Sequence, residues 1–174
     1  MNNRVMIQKI ALASALTALS VVIDILFKMI VMSPVFGFPF YAIPLVIGSM
    51  LLGPFFGAVM AFSSDFFGVI NSGYEYLPLF SLSALAWGIV PGILIRGRNH
   101  NERLVWAILI SYVLASGLNT FAMAVHFSSQ TALASVPLRL LAAAFNGPVM
   151  FVLIKDLHAR LEPLYETHVV TGRS

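Results

Sequence analysis

The stretch VMIQKIALASALTALSVVIDILFKMIV, from Val5 to Val31, decides the fold. Its only charged residues are Lys9, Asp24 and Lys28. A hydrocarbon core of about 30 Å is crossed by roughly 20 apolar residues in a helix, so this run can span a membrane with length to spare. It also exceeds the apolar segment of a cleaved signal peptide, which is about 7–15 residues, and reads as a retained helix. Five further apolar stretches follow, at about Phe40–Leu52 (a short one), Pro54–Ile70, Leu79–Ile95, Leu104–His126 and Pro137–Leu157. The breaks carry helix-ending chemistry. Ser33-Pro34, Gly37 and Pro39 close the first helix, because proline fixes φ and removes a donor. Gly53-Pro54 places a proline at a helix start. Asn71-Ser72-Gly73 with Pro78, and Ser128-Ser129-Gln130 with Pro137, bound the later loops.

Composition agrees. The chain has 174 residues, 59% hydrophobic and 10% charged, against about 45–50% and 25% for a soluble domain. So few charges cannot dress a water-facing surface, which excludes a soluble enzyme and a disordered chain. The net charge of +3 forms no basic stripe, so no nucleic-acid partner is expected. There is no cysteine, hence no disulfide, thiolate metal site or cysteine nucleophile.

Orientation follows from Lys and Arg in short loops. With both termini inside, Arg4, Lys9, Arg96, Arg98, Arg103, Lys155, Arg160 and Arg173 fall on the cytoplasmic side, while the outer loops 33–39, 71–78 and 127–136 hold no Lys or Arg. The expectation is an all-α integral membrane protein. One domain, residues 1–157, holds six transmembrane helices, N-in and C-in, and a solvated, frayed cytoplasmic tail follows at 158–174.

Four ionisable residues remain within the apolar helices: Asp24, Lys28, Asp65 and Arg139. Each costs a few kcal/mol at membrane depth if it faces lipid, so they should face the interior, a wet cavity or one another. The proposed topology puts all four in the outer half. One reading is an outward-facing ligand cavity. The other is a structural Asp24–Lys28 pair, four residues apart in the favourable acid-first order, with Arg139 snorkelling to the interface. Phe36, Phe38, Phe40 and Tyr41 in one outer loop, and Tyr74, Glu75, Tyr76 and Phe80 in another, supply either stacking surface for a ligand or an interfacial belt. Asn119, Thr120 and Asn146 are ligand contacts or helix–helix glue. His126 has no second histidine at metal spacing, and no metal or cofactor is expected. Near the inner end, Ala11, Ser14, Ala15 and Ala18 form a small-residue face suited to close helix approach, either within the chain or against another membrane protein.

Catalytic signatures are missing. There is no Walker A loop, no H-E-x-x-H and no G-x-S-x-G. An intramembrane enzyme built on Asp24 and Asp65 remains a rival reading, as does a ligand-free scaffold subunit. The chain lacks the internal repeats of the usual secondary transporter.

Several stretches, in this order and spacing, carry a resemblance. They are Ala11-Leu-Ala-Ser-Ala-Leu-Thr-Ala18, Ile47-Gly-Ser-Met-Leu-Leu-Gly-Pro54 with Phe-Phe-Gly-Ala58, Ser64-Asp65-Phe-Phe-Gly68, Leu79-Phe-Ser-Leu-Ser-Ala84 with Gly88 to Leu94, Leu118-Asn-Thr120 and Val136-Pro-Leu-Arg-Leu140. Over about residues 7–157 the chain resembles the substrate-binding S component of an energy-coupling factor (ECF) vitamin transporter, of the folate family. The resemblance implies capture of a water-soluble vitamin in an outward-facing cavity lidded by outer loops, in the plasma membrane of a bacterium. It implies docking on a membrane T component that bears two cytoplasmic ATPases, whose ATP hydrolysis topples the S component. A chain without a Walker site fits that scheme. Ala11, Ala15 and Ala18 would then be the docking face. Candidate ligand residues are Phe40, Tyr41, Asp65, Tyr74, Tyr76, Ser81 and Asn119, with Arg139 holding an anionic or carbonyl group. The departures bear on substrate. Folate-type members tend to carry a base where Asp24 stands, and a lysine shortly after the Pro-Leu-Arg, where Leu140-Leu-Ala-Ala-Ala144 stands. Folate is a dianion, and a site for it should collect cations. Cobalamin and pantothenate therefore rank level, with folate behind.

Overall fold

The computed structural model describes residues 3–30, 39–71, 73, 75–95 and 100–166, with His100 by its backbone only. Among them the chain is built of helices: α1 (Asn3–Ile30), a 3-10 turn (Pro39–Tyr41), α2 (Ala42–Leu52), α3 (Pro54–Asn71), α4 (Pro78–Leu94), α5 (His100–His126) and α6 (Ser129–Tyr165). By length and composition α1, α5 and α6 can cross a membrane. The 11 residues of α2 reach only roughly 16 Å at 1.5 Å per residue.

That short helix is the centre of the fold. Every residue from Ala42 to Ser49 is buried, because α1, α3, α4 and α6 all pack on it. A helix apolar all round is one surrounded by protein or lipid. Its C-terminal turn into α3 rests on Gly53, at φ 93° and ψ 171°, whose N–H donates to the Ser49 carbonyl at 3.0 Å. Only glycine adopts that conformation readily. Gly53→Ala is expected to lower stability by about 1–3 kcal/mol, read as a fall in the thermal midpoint of the purified protein in detergent.

Side-chain contacts set the register. Ser20 meets Ser64, and the Asp24 carboxylate lies where a Cβ of Gly68 would stand, so α1 and α3 run parallel in step. The pairs Gly57–Gly88 and Asp65–Ser81 make α3 and α4 antiparallel. The ring pairs Trp87–Tyr112 and Phe80–His126 do the same for α4 and α5. Arg139 reaching Ser116 and Ser135 reaching Met123 do so for α5 and α6. As a result Asp24, Lys28, Asp65 and Arg139 all lie towards one end of the bundle, while Arg4, Lys9, Arg103, Lys155 and Arg160 lie towards the other.

The tightest packing is a seam of small residues where α2, α3 and α4 meet. Ser49 Oγ donates to the Gly88 carbonyl at 2.5 Å. A Cβ on Gly57 would collide with that same carbonyl and with Ser49 Oγ, and one on Gly88 would collide with the Gly57 carbonyl. Small residues let helix backbones approach this closely. The exterior is the opposite. Phe55, Met29, Val113, Leu141 and Phe145 are each at least 70% exposed, far more apolar surface than a protein in water shows.

Two stretches differ from the sequence expectation. Helix α6 begins at Ser129, not at Pro137, so the segment expected as an outer loop is helical. The Ser128 hydroxyl caps it by accepting the Thr131 N–H at 3.1 Å, which outweighs the single helix bond that Pro137 removes. At the other end α6 continues to Tyr165 instead of fraying after Leu157. There Asp156 and Arg160 pair at 3.0 Å one turn apart, the spacing at which opposite charges support a helix, and His158 lies 3.6 Å from Glu162 at the same spacing.

Candidate ligand site and docking face

The polar residues at the Asp65 end fall into two groups. The first joins α1, α3 and α4. Ser81 Oγ, on the first turn of α4, donates to Asp65 Oδ2 at 2.6 Å, and the Tyr76 hydroxyl lies 2.8 Å from Ser81 Oγ. Three of the sequence candidates thus form one chain of hydrogen bonds. Beside it, Lys28 Nζ donates to Asp24 Oδ2 at 2.5 Å, and both charges are near enough to act on Asp65. The Asp24–Lys28 pair is therefore real and lies within the polar group rather than apart from it. Tyr41 sits underneath, its carbonyl accepting from Ser20 Oγ at 2.7 Å. Phe40 packs on Phe27, with ring centroids 5.1 Å apart.

The second group lies between α5 and α6. Arg139 is half-buried, with Nη1 donating to the Ser116 carbonyl at 3.4 Å and Nη2 to the Met123 sulfur at 2.8 Å. No carboxylate pairs with it among the described residues. A guanidinium has five N–H donors, and a thioether is a weak acceptor, so its capacity is far from filled. Thr120 returns its hydroxyl to the Ser116 carbonyl at 2.7 Å. By helical spacing Asn119, partly buried, lies between Ser116 and Met123. The two groups are not joined by an ion pair, so Arg139 neutralises neither Asp24 nor Asp65. Helices α1 and α6 both pack on α2.

His126 stacks on Phe80, with centroids 6.3 Å apart. Together with Glu75, Leu77 and Phe127 it borders a shallow cleft of about 460 Å³ at the same end. Tyr74, Phe36 and Phe38 lie outside the described residues.

At the opposite end of α1 the small-residue face points away from the bundle. Ala13, Leu16 and Ser20 are buried against the protein, whereas Ala11, Ser14, Ala15 and Ala18 are exposed. The alternative that this face packs inside the chain is thereby removed. It is a shallow stripe left open beside large apolar neighbours such as Leu19 and Val22.

Two features were not singled out in the sequence: the Ser20–Ser64 pair and the Gly57–Gly88 crossing. The first had no signal beyond two serines in apolar runs. The second had one, since a glycine and a serine recur on each of three successive helices.

An all-helical bundle with an apolar exterior and polar residues gathered at one end leaves many transport and scaffold families open. Residues 8–156 match the family described as ECF transporter, substrate-specific component. The chain belongs to that family. An S component is a substrate-binding subunit of a multi-pass membrane importer rather than an enzyme, and works with a membrane T component and ATPases. No individual curated protein matches this S component.

Proposed function

We propose that this S component captures a water-soluble vitamin at the Asp65 end of the bundle. Cobalamin or pantothenate is favoured and folate comes next. In this reading all six helices sit in the bacterial plasma membrane, with α2 as a short inner one, the termini in the cytoplasm and the Asp65 end outside. Loops at that end, carrying Phe40, Tyr41, Tyr74 and Tyr76, form the lid. Asp65, Ser81 and Asn119 line the wall. Ala11, Ala15 and Ala18 dock on the T component, and ATP hydrolysis in the partners drives release inside.

The observation that carries this reading is Arg139. A half-buried guanidinium without a carboxylate is costly in a membrane interior, and an anionic or carbonyl group of a ligand would use it. The charge inventory supports the order of vitamins. Lys28 is engaged by Asp24, which leaves Arg139 as the cation for the ligand at this end among the described residues. That suits the single carboxylate of pantothenate or the amides of cobalamin better than the two carboxylates of folate.

Binding of the three vitamins to the purified protein tests the proposal. Arg139→Gln is expected to weaken the vitamin that binds by about 10- to 100-fold, the worth of a charge-assisted hydrogen bond. Nanomolar folate binding without binding of the other two would overturn the order of vitamins. Mass spectrometry of molecules retained through purification separates a ligand-binding subunit from a ligand-free scaffold.

A further inference from the structure

Two turns deeper than Arg139 the same face of α6 carries Asn146. It is fully buried, and neither Nδ2 nor Oδ1 of its amide has a hydrogen-bond partner. Across the seam on α5 the buried Tyr112 hydroxyl has none either. The two side chains face each other near hydrogen-bonding range, but the contact falls short of good hydrogen-bond geometry. Even a well-made bond between them would leave donors of the amide unused, because an asparagine side chain has two N–H groups and a carbonyl. Buried polar side chains are almost always satisfied, and leaving one unmet costs free energy. A residue placed as helix–helix glue would show the bonds that glue requires.

The surroundings point to an occupant. Arg139 and Asn146 are seven residues apart, so they share a helix face, separated by about 10 Å along the axis. The residues one turn on from Arg139 along that face are Ala142 and Ala143, so no bulky side chain of α6 stands between the two polar positions. Tyr112 stands one turn from Ser116, the residue whose carbonyl Arg139 touches. The α5–α6 seam is also loosely fastened here. Its polar links are the 3.4 Å and 2.8 Å contacts of Arg139 and a 3.8 Å contact from Ser135 to the Met123 sulfur.

We propose that Asn146, with Tyr112, is the inner anchor of the ligand site and determines specificity. The pair reads a group that both donates and accepts, an amide or a neighbouring hydroxyl and carbonyl. That group lies about 10 Å from the one held by Arg139. This rests on the vitamin-capture reading and deepens it. The ligand class is an elongated molecule with one anionic or carbonyl pole and one amide-like pole. Its entry parts the α5–α6 seam and satisfies the two groups left unmet when the site is empty.

The test uses the full chain purified in detergent, with pantothenate, cyanocobalamin and folate as probes. For each, affinity is measured together with the thermal midpoint with and without the vitamin. The proposal expects Asn146→Leu to leave the ligand-free midpoint unchanged or raised, to weaken the bound vitamin at least tenfold, and to abolish its stabilising effect. Tyr112→Phe, which removes only the hydroxyl, shows the same pattern to a smaller degree. If wild-type protein binds a vitamin and Asn146→Leu binds it equally well, the anchor is overturned while the capture reading stands. That is also the outcome if the pair merely holds a buried water. A fall in the ligand-free midpoint with affinity retained assigns Asn146 to helix packing and overturns the proposal. If wild-type protein binds none of the three and retains no small molecule, both fall together.

Discussion

Replacing Gly57 by valine is expected to leave no folded protein to purify. At this point α3 and α4 are in backbone contact. A Cβ on Gly57 would stand on the Gly88 carbonyl and on the Ser49 hydroxyl that donates to it. Neither obstacle is the free end of a flexible side chain, so relief requires the helices to part. Parting them breaks the Ser49–Gly88 bond and loosens α2, which packs on both. Overpacking of a core costs about 1–3 kcal/mol and occasionally more. With backbone as the obstacle the upper end or beyond applies, a loss of about 3 kcal/mol or more. The control is Gly117→Ala on α5, where the Cβ meets nothing within 4 Å. There the substitution should gain about 0.5–1 kcal/mol, because alanine loses less freedom than glycine on entering a helix. The yield of monodisperse protein from each variant in one detergent, with a thermal melt of whatever folds, decides the matter. A Gly57→Val protein recovered in wild-type yield with a wild-type melting temperature would mean that the crossing is not as close as described.

The second large effect separates binding from transport. Ala15→Trp is expected to abolish vitamin uptake in cells that carry the whole transporter, while the purified chain binds as tightly as wild type. Ala15 faces outwards from α1, and the residues that fasten α1 to the bundle are Ala13, Leu16 and Ser20 on the other side. An indole added at Ala15 therefore disturbs no internal packing. It fills the shallow stripe between Ala11 and Ala18, which close approach of a partner helix needs empty. Asn119, Asp65 and Arg139 lie far along the bundle and are untouched. Uptake at the wild-type rate would sink the docking role. Lost binding would show that the substitution had reached the fold.

Much of the architecture was legible because lipid leaves so few options. Long apolar runs separated by breaks such as Gly53-Pro54 read directly as helices, and α1 is helical through Ile30, the last residue described before the first loop. The errors arose where local chemistry competed. Pro137 read as the start of the sixth helix, but the Ser128 cap nine residues earlier had already started α6. The tail after Leu157 read as solvated because it is charged, yet Asp156 and Arg160, one turn apart, are spaced to hold a helix together. At the site, the residue types that do not belong in lipid were visible at once: Asp24, Lys28, Asp65 and Arg139. Their partners were not. That Ser81 links Asp65 to Tyr76, whereas Arg139 finds a carbonyl and a sulfur among the described residues, depends on which helix faces stand opposite each other. A single sequence does not encode that in any local pattern.

The contrast between a seam of serine and glycine and an exterior of leucine, valine and phenylalanine has a thermodynamic meaning. Where the large apolar groups face outwards, separating the helices within a membrane moves them from one hydrocarbon contact to another. Little apolar surface meets water, and exposure of that surface is what gives a soluble protein its large heat-capacity change on unfolding. The association of α2, α3 and α4 must instead come from close dispersion contact and from bonds such as Ser49 to Gly88. Its free energy should vary nearly linearly with temperature, without the curvature that produces cold denaturation in water.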